Sequence, residues 1–308
     1  MPMQYDAQAA LGFLINQTSY IEQQVNEIVY PDIQYPELIP VDTSAGEFAK
    51  SVTYYSADKY GEANWINGNS DDIPLAGTEM TKFQTPVYTA AIGYSFGWEE
   101  VNQAMLLGHN LQGDDAAAAR RAYEEMVDRV AILGDSRKGF QGLINNSSVN
   151  AASATNGDWG GTGTTSDQVL EDVNNALLAV GSSTLYTSIA DTLLLSFGKM
   201  NFLATTRLGD TERTLLSFLR ENNTYTAMTG RPLMIRGVRG LETAGVGGTE
   251  RMIAYRRDPS VLKLHVPMVH RFLPVHQAGP LRWEVPGVFR LGGLDIRRPL
   301  EVKYRDGV

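Results

Sequence analysis

The spacing of apolar residues changes character several times along the chain. Between residues 10 and 29, Leu11, Leu14, Ile15, Ile21, Val25 and Ile28 follow helical steps. The stretch 30–36, with Pro31 and Pro36, predicts extended backbone, because proline is barred from helix interiors and restricts the residue before it. Residues 1–47 therefore predict an arm, not a domain. Residues 48–97 predict one very long hairpin. Phe48, Val52 and Tyr54 alternate with polar residues on the way out. On the way back Tyr88, Ile92, Tyr94 and Phe96 share one face, and Thr89, Ala91, Gly93 and Ser95 share the other. Between the legs, residues 56–81 are rich in Gly, Asp and Asn and hold the isolated apolar residues Trp65, Ile66, Ile73 and Leu75. A connection of this length is usually functional.

Residues 98–133 predict a helix, with Val101, Ala104, Met105, Leu111, Ala119, Ala122, Tyr123, Met126, Val127, Val130 and Leu133 at three- and four-residue steps. Asp114 and Asp115 after Gly113 predict a bend, and Gly134 ends the element. Residues 145–166 predict a flexible loop, and Ser166 caps a helix running to about 180. A strand at 192–197, helices at 200–206 and 211–222 and a strand at 233–238 predict a small sheet covered by helices. After Glu250 the pattern is β again, with strands expected at 252–256, 261–266, 269–276, 281–285 and 294–304. The last places Leu294, Ile296, Leu300, Val302 and Tyr304 on one face and Asp295, Arg297, Glu301, Lys303 and Arg305 on the other, with Pro299 suited to an edge or bulge. The class is α+β.

These elements are long for their chain. A compact domain of 308 residues has a diameter of roughly 50 Å. An unbroken helix over 98–133 reaches about 54 Å, and a hairpin leg of ~20 residues about 65 Å. An isolated two-stranded ribbon is marginal in water. Either the ribbon lies on a neighbouring copy, or it folds back on its own chain with an irregular tip.

Composition narrows the classes. Hydrophobic residues are 43% and charged residues 20%, which fits a folded protein. The chain lacks cysteine, which excludes disulfide frameworks, thiolate metal sites and a cysteine nucleophile. The first basic residue is Lys50, so no signal peptide with a basic start is expected. No uncharged apolar run reaches the ~18 residues of a membrane helix, and no membrane partner is expected. The net charge of −9 argues against a generic nucleic-acid binder, but its distribution is uneven. Residues 1–119 carry 3 basic and 16 acidic side chains, and residues 191–308 carry 18 and 11. Either the charges cluster on solvated faces, or the acidic front of one copy meets the basic back of another, a head-to-tail contact that builds rings and shells.

Candidate chemistry is sparse. Gly93-Tyr94-Ser95-Phe96-Gly97 matches the G-x-S-x-G nucleophile elbow, with Asp191 and then His265, His270 or His276 following in hydrolase order. That fold needs repeated parallel βα units downstream, whereas residues 251–308 predict consecutive strands. Alternation already explains Ser95 as a small residue on the less crowded face. His265 and His270 differ in strand parity, Pro274 separates His270 from His276, and no HExxH is present, so no metal site is expected. Gly157, Gly160, Gly161 and Gly163 lack the strand and Gly-Lys of a phosphate loop, and Gly240, Gly245, Gly247 and Gly248 form a second loop. Glu99–Glu100 and Glu124–Glu125 predict solvated helix faces. The pairs Arg256–Arg257 and Arg297–Arg298 could touch nucleic acid, a neighbour's acidic ribbon, or only solvent. No catalytic or cofactor-binding residue is expected.

The order of elements resembles the major capsid proteins of tailed bacteriophages, a fold shared with encapsulin shells. The resembling phrases are Tyr94-Ser95-Phe96-Gly97-Trp98-Glu99-Glu100, Ala116-Ala117-Ala118-Ala119-Arg120-Arg121-Ala122, Asp191-Thr192-Leu193-Leu194-Leu195 and Ile296-Arg297-Arg298-Pro299-Leu300-Glu301-Val302. The resemblance implies an N-terminal arm (1–47), an extended hairpin loop that overlaps the next subunit (48–97), and a spine helix with peripheral-domain segments (98–165). It also implies an axial domain (166–250), with 240–248 or 145–166 near the symmetry axis, and a β-rich C-terminal part of the peripheral and axial domains (251–308). The implied function is self-assembly, through hexamers and pentamers, into an icosahedral virion head that encloses double-stranded DNA without sequence specificity. Scaffolding, portal and cement proteins would be separate partners, and assembly would take place in the bacterial host cytoplasm. Some members weld the ribbon through a Lys–Asn isopeptide bond. Lys59 and Lys82 could donate, but no Asn follows Asn223, so a shell without that weld is expected. Only about 47 residues precede the ribbon, so scaffolding would come from a separate protein or from a segment already removed. An encapsulin-like compartment and a serine hydrolase using Ser95 are the alternatives.

Overall fold

A computed structural model describes residues 32–65, 73–100, 111–161, 163–209 and 211–308. The helical spacing expected at 10–29, and Ile66, Val101, Ala104 and Met105, lie outside them. The chain enters through a helical turn, α1 (Tyr35–Leu38), and a short strand, β1 (Val41–Asp42). Then come β2 (Ser51–Tyr60), β3 (Gly77–Pro86), β4 (Tyr88–Ala91) and β5 (Tyr94–Gly97). Helix α2 (Leu111–Ile132) is followed by β6 (Gly134–Asp135), β7 (Phe140–Gln141) and β8 (Ala151–Ser153). The middle of the chain supplies α3 (Ser166–Ser183), β9 (Thr192–Leu195), α4 (Phe197–Thr205), α5 (Leu215–Glu221), α6 (Thr224–Thr229) and β10 (Met234–Gly237).

The C-terminal third is one long, bent hairpin. Its outward leg is β11 (Arg251–Tyr255), β12 (Leu262–His265), β13 (Met268–Phe272) and β14 (His276–Gly279). The return leg is β15 (Arg282–Val285), β16 (Gly287–Leu291), β17 (Gly293–Ile296) and β18 (Val302–Asp306). Pairing nests strictly: β14 with β15, β13 with β16, β12 with β17, β11 with β18. Six further strands add to the flank of this hairpin. β9 and β10 extend it beside β11, β8 beside β18, β1 beside β12, β4 beside β16 and β5 beside β15.

The sheet β10-β9-β11-β18-β8 separates two cores. Leu193 and Leu195 of β9 join Met252 and Ala254 of β11 against Val169, Val173, Ala176, Leu177 and Val180 of α3. The intervening Leu194, with Ile253, Tyr255, Val302 and Tyr304, packs against Tyr123, Val127 and Val130 of α2. A strand buried on both faces has no polar alternation, which is why Leu193, Leu194 and Leu195 form a continuous apolar run. Helix α3 begins at a capping box, in which Thr165 and Gln168 exchange side-chain and backbone hydrogen bonds. Helix α2 stops before Gly134, whose φ of +80° suits the left-handed residue past a helix end.

Several expectations are corrected. Residues 35–38 are helical, not extended. Pro36 sits in the first turn, where its missing N–H costs nothing, and the buried Asp128 carboxylate accepts from the Gln34 and Tyr35 amides at 2.9 Å each. Thr165, not Ser166, is the cap of α3. The 145–166 segment is tied down at several points. β8 pairs with β18, and the buried Asp172 carboxylate accepts from the Asn156 and Gly157 amides and from Trp159 Nε1 at 2.9 Å. The strand expected at 294–304 is two strands in two sheets, divided by a turn at Pro299–Glu301. Asp295, Glu301 and Lys303, expected on an outer face, are buried: Asp295 pairs with Arg297, Glu301 pairs with Arg256 and Arg298, and Lys303 lies in β18, which β11 and β8 flank.

Candidate assembly surfaces

The element expected as a hairpin over 48–97 divides at Val87. Strands β2 and β3 form the free ribbon, and β4 and β5 flank the C-terminal hairpin. β2 and β3 pair in unbroken antiparallel register from Ser51 opposite Pro86 to Tyr60 opposite Gly77. At ~3.4 Å per residue the paired part is about 34 Å long, half the leg expected from sequence. Val87 is buried and its amide donates to the Lys50 carbonyl at 3.0 Å. Beyond it the chain peels away, with β4 joining β16 and β5 joining β15.

The ribbon touches its own body only near its base among the described residues. Glu47 is held there by Arg271, at 3.1 Å, and by Arg290, which donates to its carbonyl at 2.8 Å. The Tyr54 ring stacks on Phe83 at 5.1 Å, and the Arg297 guanidinium lies over Tyr54 at 4.5 Å. Burial, and then the Asp295 charge, push the Tyr54 hydroxyl pKa up against the opposing pull of Arg297. Past Tyr54, side chains on both faces are exposed. Tyr55, Tyr60, Met80 and the tip residues Trp65, Ile73 and Leu75 are large apolar groups in solvent, with Leu75 at 84%. Large apolar side chains left in solvent along one element mark an interaction site.

The residues of the G-x-S-x-G match have structural roles. A Cβ on Gly93 would strike the Val285 carbonyl and Pro286, so the first glycine permits a close backbone approach. Ser95 is exposed in the middle of β5, opposite Glu284, not on a strand-to-helix elbow. The Gly97 amide donates to Glu100 Oε2 at 2.9 Å. Asp191 accepts from Thr192 Oγ1 and the Arg257 amide at 2.8 Å each. His265 lies buried between Asp295, at 3.4 Å, and Asp42, at 3.7 Å. His270 contacts the Ile92 carbonyl at 3.0 Å and stacks on Tyr123, and His276 is at the exposed edge strand β14. The structure does not bring Ser95, Asp191 and these histidines together. Among the described residues no three His, Asp or Glu side chains gather as metal ligands. The Arg pairs split in the same way. Arg256 binds Ser188, Asp258 and Glu301, and Arg257 donates to the Pro36 carbonyl. Arg297 reaches Asp295 at 3.1 Å, and Arg298 reaches Glu301 at 3.2 Å.

Sequence reading missed a cavity of about 330 Å³ between α2 and β4, with an apolar floor of Tyr88, Ala90, Met126, Val130, Phe140 and Leu291 and a rim of Asp135, Arg137 and Lys138. Its walls come from segments distant in the chain, so no local pattern signals it.

A bare ribbon, a helix packed on nested sheets and a C-terminal hairpin that gathers the other strands define a capsid-type fold. The structure is similar to the capsid of Myoviridae phage XM1, with a TM-score of 0.79, 19% identity, and coverage of 95% of this chain and 98% of that one. It is also similar to the capsid of a native GTA particle (TM-score 0.67, 11% identity, 99% of both chains) and to a chain of Mycobacterium phage Bobi (TM-score 0.64, 14% identity, 98% of this chain and 99% of that one). No match was found among curated protein sequences. The model of the major capsid protein family matches residues 61–308, and the chain belongs to that family. Its role is structural: it is a subunit of a virion capsid that self-assembles into a shell.

Proposed function

We propose that this subunit assembles through hexamers and pentamers into an icosahedral phage head that encloses double-stranded DNA. The exposed ribbon supports this reading most directly. It is about 34 Å of paired strand whose outer aromatic and aliphatic side chains have no core of their own. On this reading the ribbon lies on a neighbouring copy, α2 belongs to the spine of a peripheral domain, and residues 166–250 form an axial domain, with the 240–248 loop or the 145–166 segment toward the symmetry axis. Ser95 has no catalytic duty. Packaged DNA is bound without sequence preference, scaffolding, portal and cement proteins are separate chains, and assembly takes place in the host cytoplasm without a membrane. Negative-stain microscopy of the purified protein tests this. Closed particles, rings or tubes are expected, and a monodisperse monomer at high concentration overturns it. Nuclease-protected DNA in particles recovered from cells distinguishes a head from a protein-filled compartment.

A further inference from the structure

The ribbon's charges are sorted by face. In a strand, alternate residues point to opposite sides, and directly opposed residues share a side. The register places Tyr54, Asp58 and Tyr60 of β2 on one face with Phe83 and Glu79 of β3. It places Tyr55, Ala57 and Lys59 on the other with Lys82 and Met80. The first face therefore carries two carboxylates and no base, and the second carries two ammonium groups and no acid.

Asp58 and Glu79 are directly opposed, an arrangement that destabilises an isolated ribbon. Both are exposed, and neither has an ion-pair partner among the described residues. The contact at the base shows what this face accepts. Val52, Tyr54 and Thr85 on the acidic face are partly buried, whereas on the lysine face Ser51 alone is partly buried and Thr53, Tyr55 and Gln84 are exposed. There the Arg297 guanidinium covers Tyr54. The same face thus turns toward a body surface at its root and meets a cation. Farther out it offers Tyr60 and two carboxylates to whatever body lies below.

We propose that the ribbon docks on a second copy through this acidic face alone, gripping guanidinium and ammonium groups of that copy, while the Lys59–Lys82 face stays turned to solvent. This rests on the reading that the ribbon lies on a neighbouring copy, and it specifies the side and the chemistry of that contact. The complementary charge is available in the same chain, since residues 191–308 hold 18 basic and 11 acidic side chains. Opposed charge at different places on one subunit gives the head-to-tail contact that closes rings.

The absence of cysteine allows a test by single thiols. Ser56→Cys places one on the acidic face and Ala57→Cys one on the lysine face, both at positions exposed in the single chain. Maleimide labelling is compared between assembled particles and unassembled subunits. Assembly is expected to slow labelling at position 56 by about tenfold or more, and at position 57 by less than about twofold, because thiol reaction rates follow access. Protection at 57 instead of 56, or equal behaviour at both, overturns the face assignment while particle formation leaves the shell reading standing. Failure of the wild-type chain to form particles overturns both. Independently, Asp58→Lys with Glu79→Lys should block assembly while Lys59→Glu with Lys82→Glu should not. The reverse pattern, or no difference between the pairs, counts against the proposal.

Discussion

Two long antiparallel hairpins lie in this one chain, and they meet opposite fates. The C-terminal hairpin, β11 to β18, acquires a flanking strand along much of its length and a core on each face of its first strand. The ribbon, β2 with β3, acquires neither. Pairing satisfies only the inward-facing backbone groups of the ribbon, whose two outer edges stay open, whereas flanking strands take up many of the outward groups of the C-terminal hairpin. Burial separates them further. Each fully buried Leu or Ile adds about 1.5–3 kcal/mol relative to exposure, and the ribbon beyond Tyr54 collects none of it within its own subunit. A two-stranded ribbon without such burial is marginal. In the single chain its order rests on its anchored base and register.

The contrast predicts a large stability effect in one hairpin and almost none in the other. At the start and end of the C-terminal hairpin, Arg251 forms a two-armed pair with Asp306, at 2.6 and 2.9 Å. It also donates to the Ile144 carbonyl and lies over the Tyr304 ring. Asp306→Ala leaves the guanidinium buried without its counter-charge, and should cost about 3–5 kcal/mol. The readout is the urea midpoint of the subunit, and an unchanged midpoint breaks the comparison.

An intermediate effect is expected at the edge where β1 joins the hairpin. Burial pushes the Asp42 carboxyl up, but the Ser44 hydroxyl and amide and the Lys263 ammonium outweigh it and hold the group below the usual carboxylate range. A carboxylate with a lowered native pKa stabilises the fold above the unfolded value of about 3.9 and loses that contribution as pH falls below it. The urea midpoint should therefore fall between pH 5 and pH 2.5, and fall less steeply in Asp42→Asn. Parallel titrations of the two proteins would exclude Asp42 as a source.

The smallest effect belongs to the ribbon. Tyr55→Ser removes a large ring that is 63% exposed, and subunit stability should move by less than about 0.5 kcal/mol. A loss beyond about 1 kcal/mol would mean that the ring packs on its own subunit, and the ribbon would no longer be the bare partner of the pair.

Much of the architecture was legible locally. The helix over α2, the helix over α3, the apolar strand at 192–195 and the run of C-terminal strands follow from periodicity and capping residues. The ribbon's existence was legible, but its end was not. Tyr88, Ile92, Tyr94 and Phe96 continue the alternation of a hairpin leg. Alternation records that a strand has two different faces, not which strand lies beside it. The nested pairing of β11 with β18 across some fifty residues is invisible for the same reason. Charged residues in β17 and β18 misled because a polar residue in alternation normally marks solvent. Here Asp295, Glu301 and Lys303 are enclosed, two of them with cationic partners at 3.5 Å or less.

The chain on its own determined the helices of α2 and α3 and the apolar strand β9, that a long polar hairpin carries stranded aromatic residues, and that acid and base are concentrated at opposite ends. Those properties depend on neighbours within a few residues and on simple counts. Only the tertiary structure decided that the strands after Val87 leave the ribbon for the C-terminal hairpin, that Asp172 and Asp306 anchor distant segments, and that the ribbon's charges divide by face. Each of those outcomes depends on register and burial, which are set jointly by residues far apart in the chain, so no local pattern can carry them.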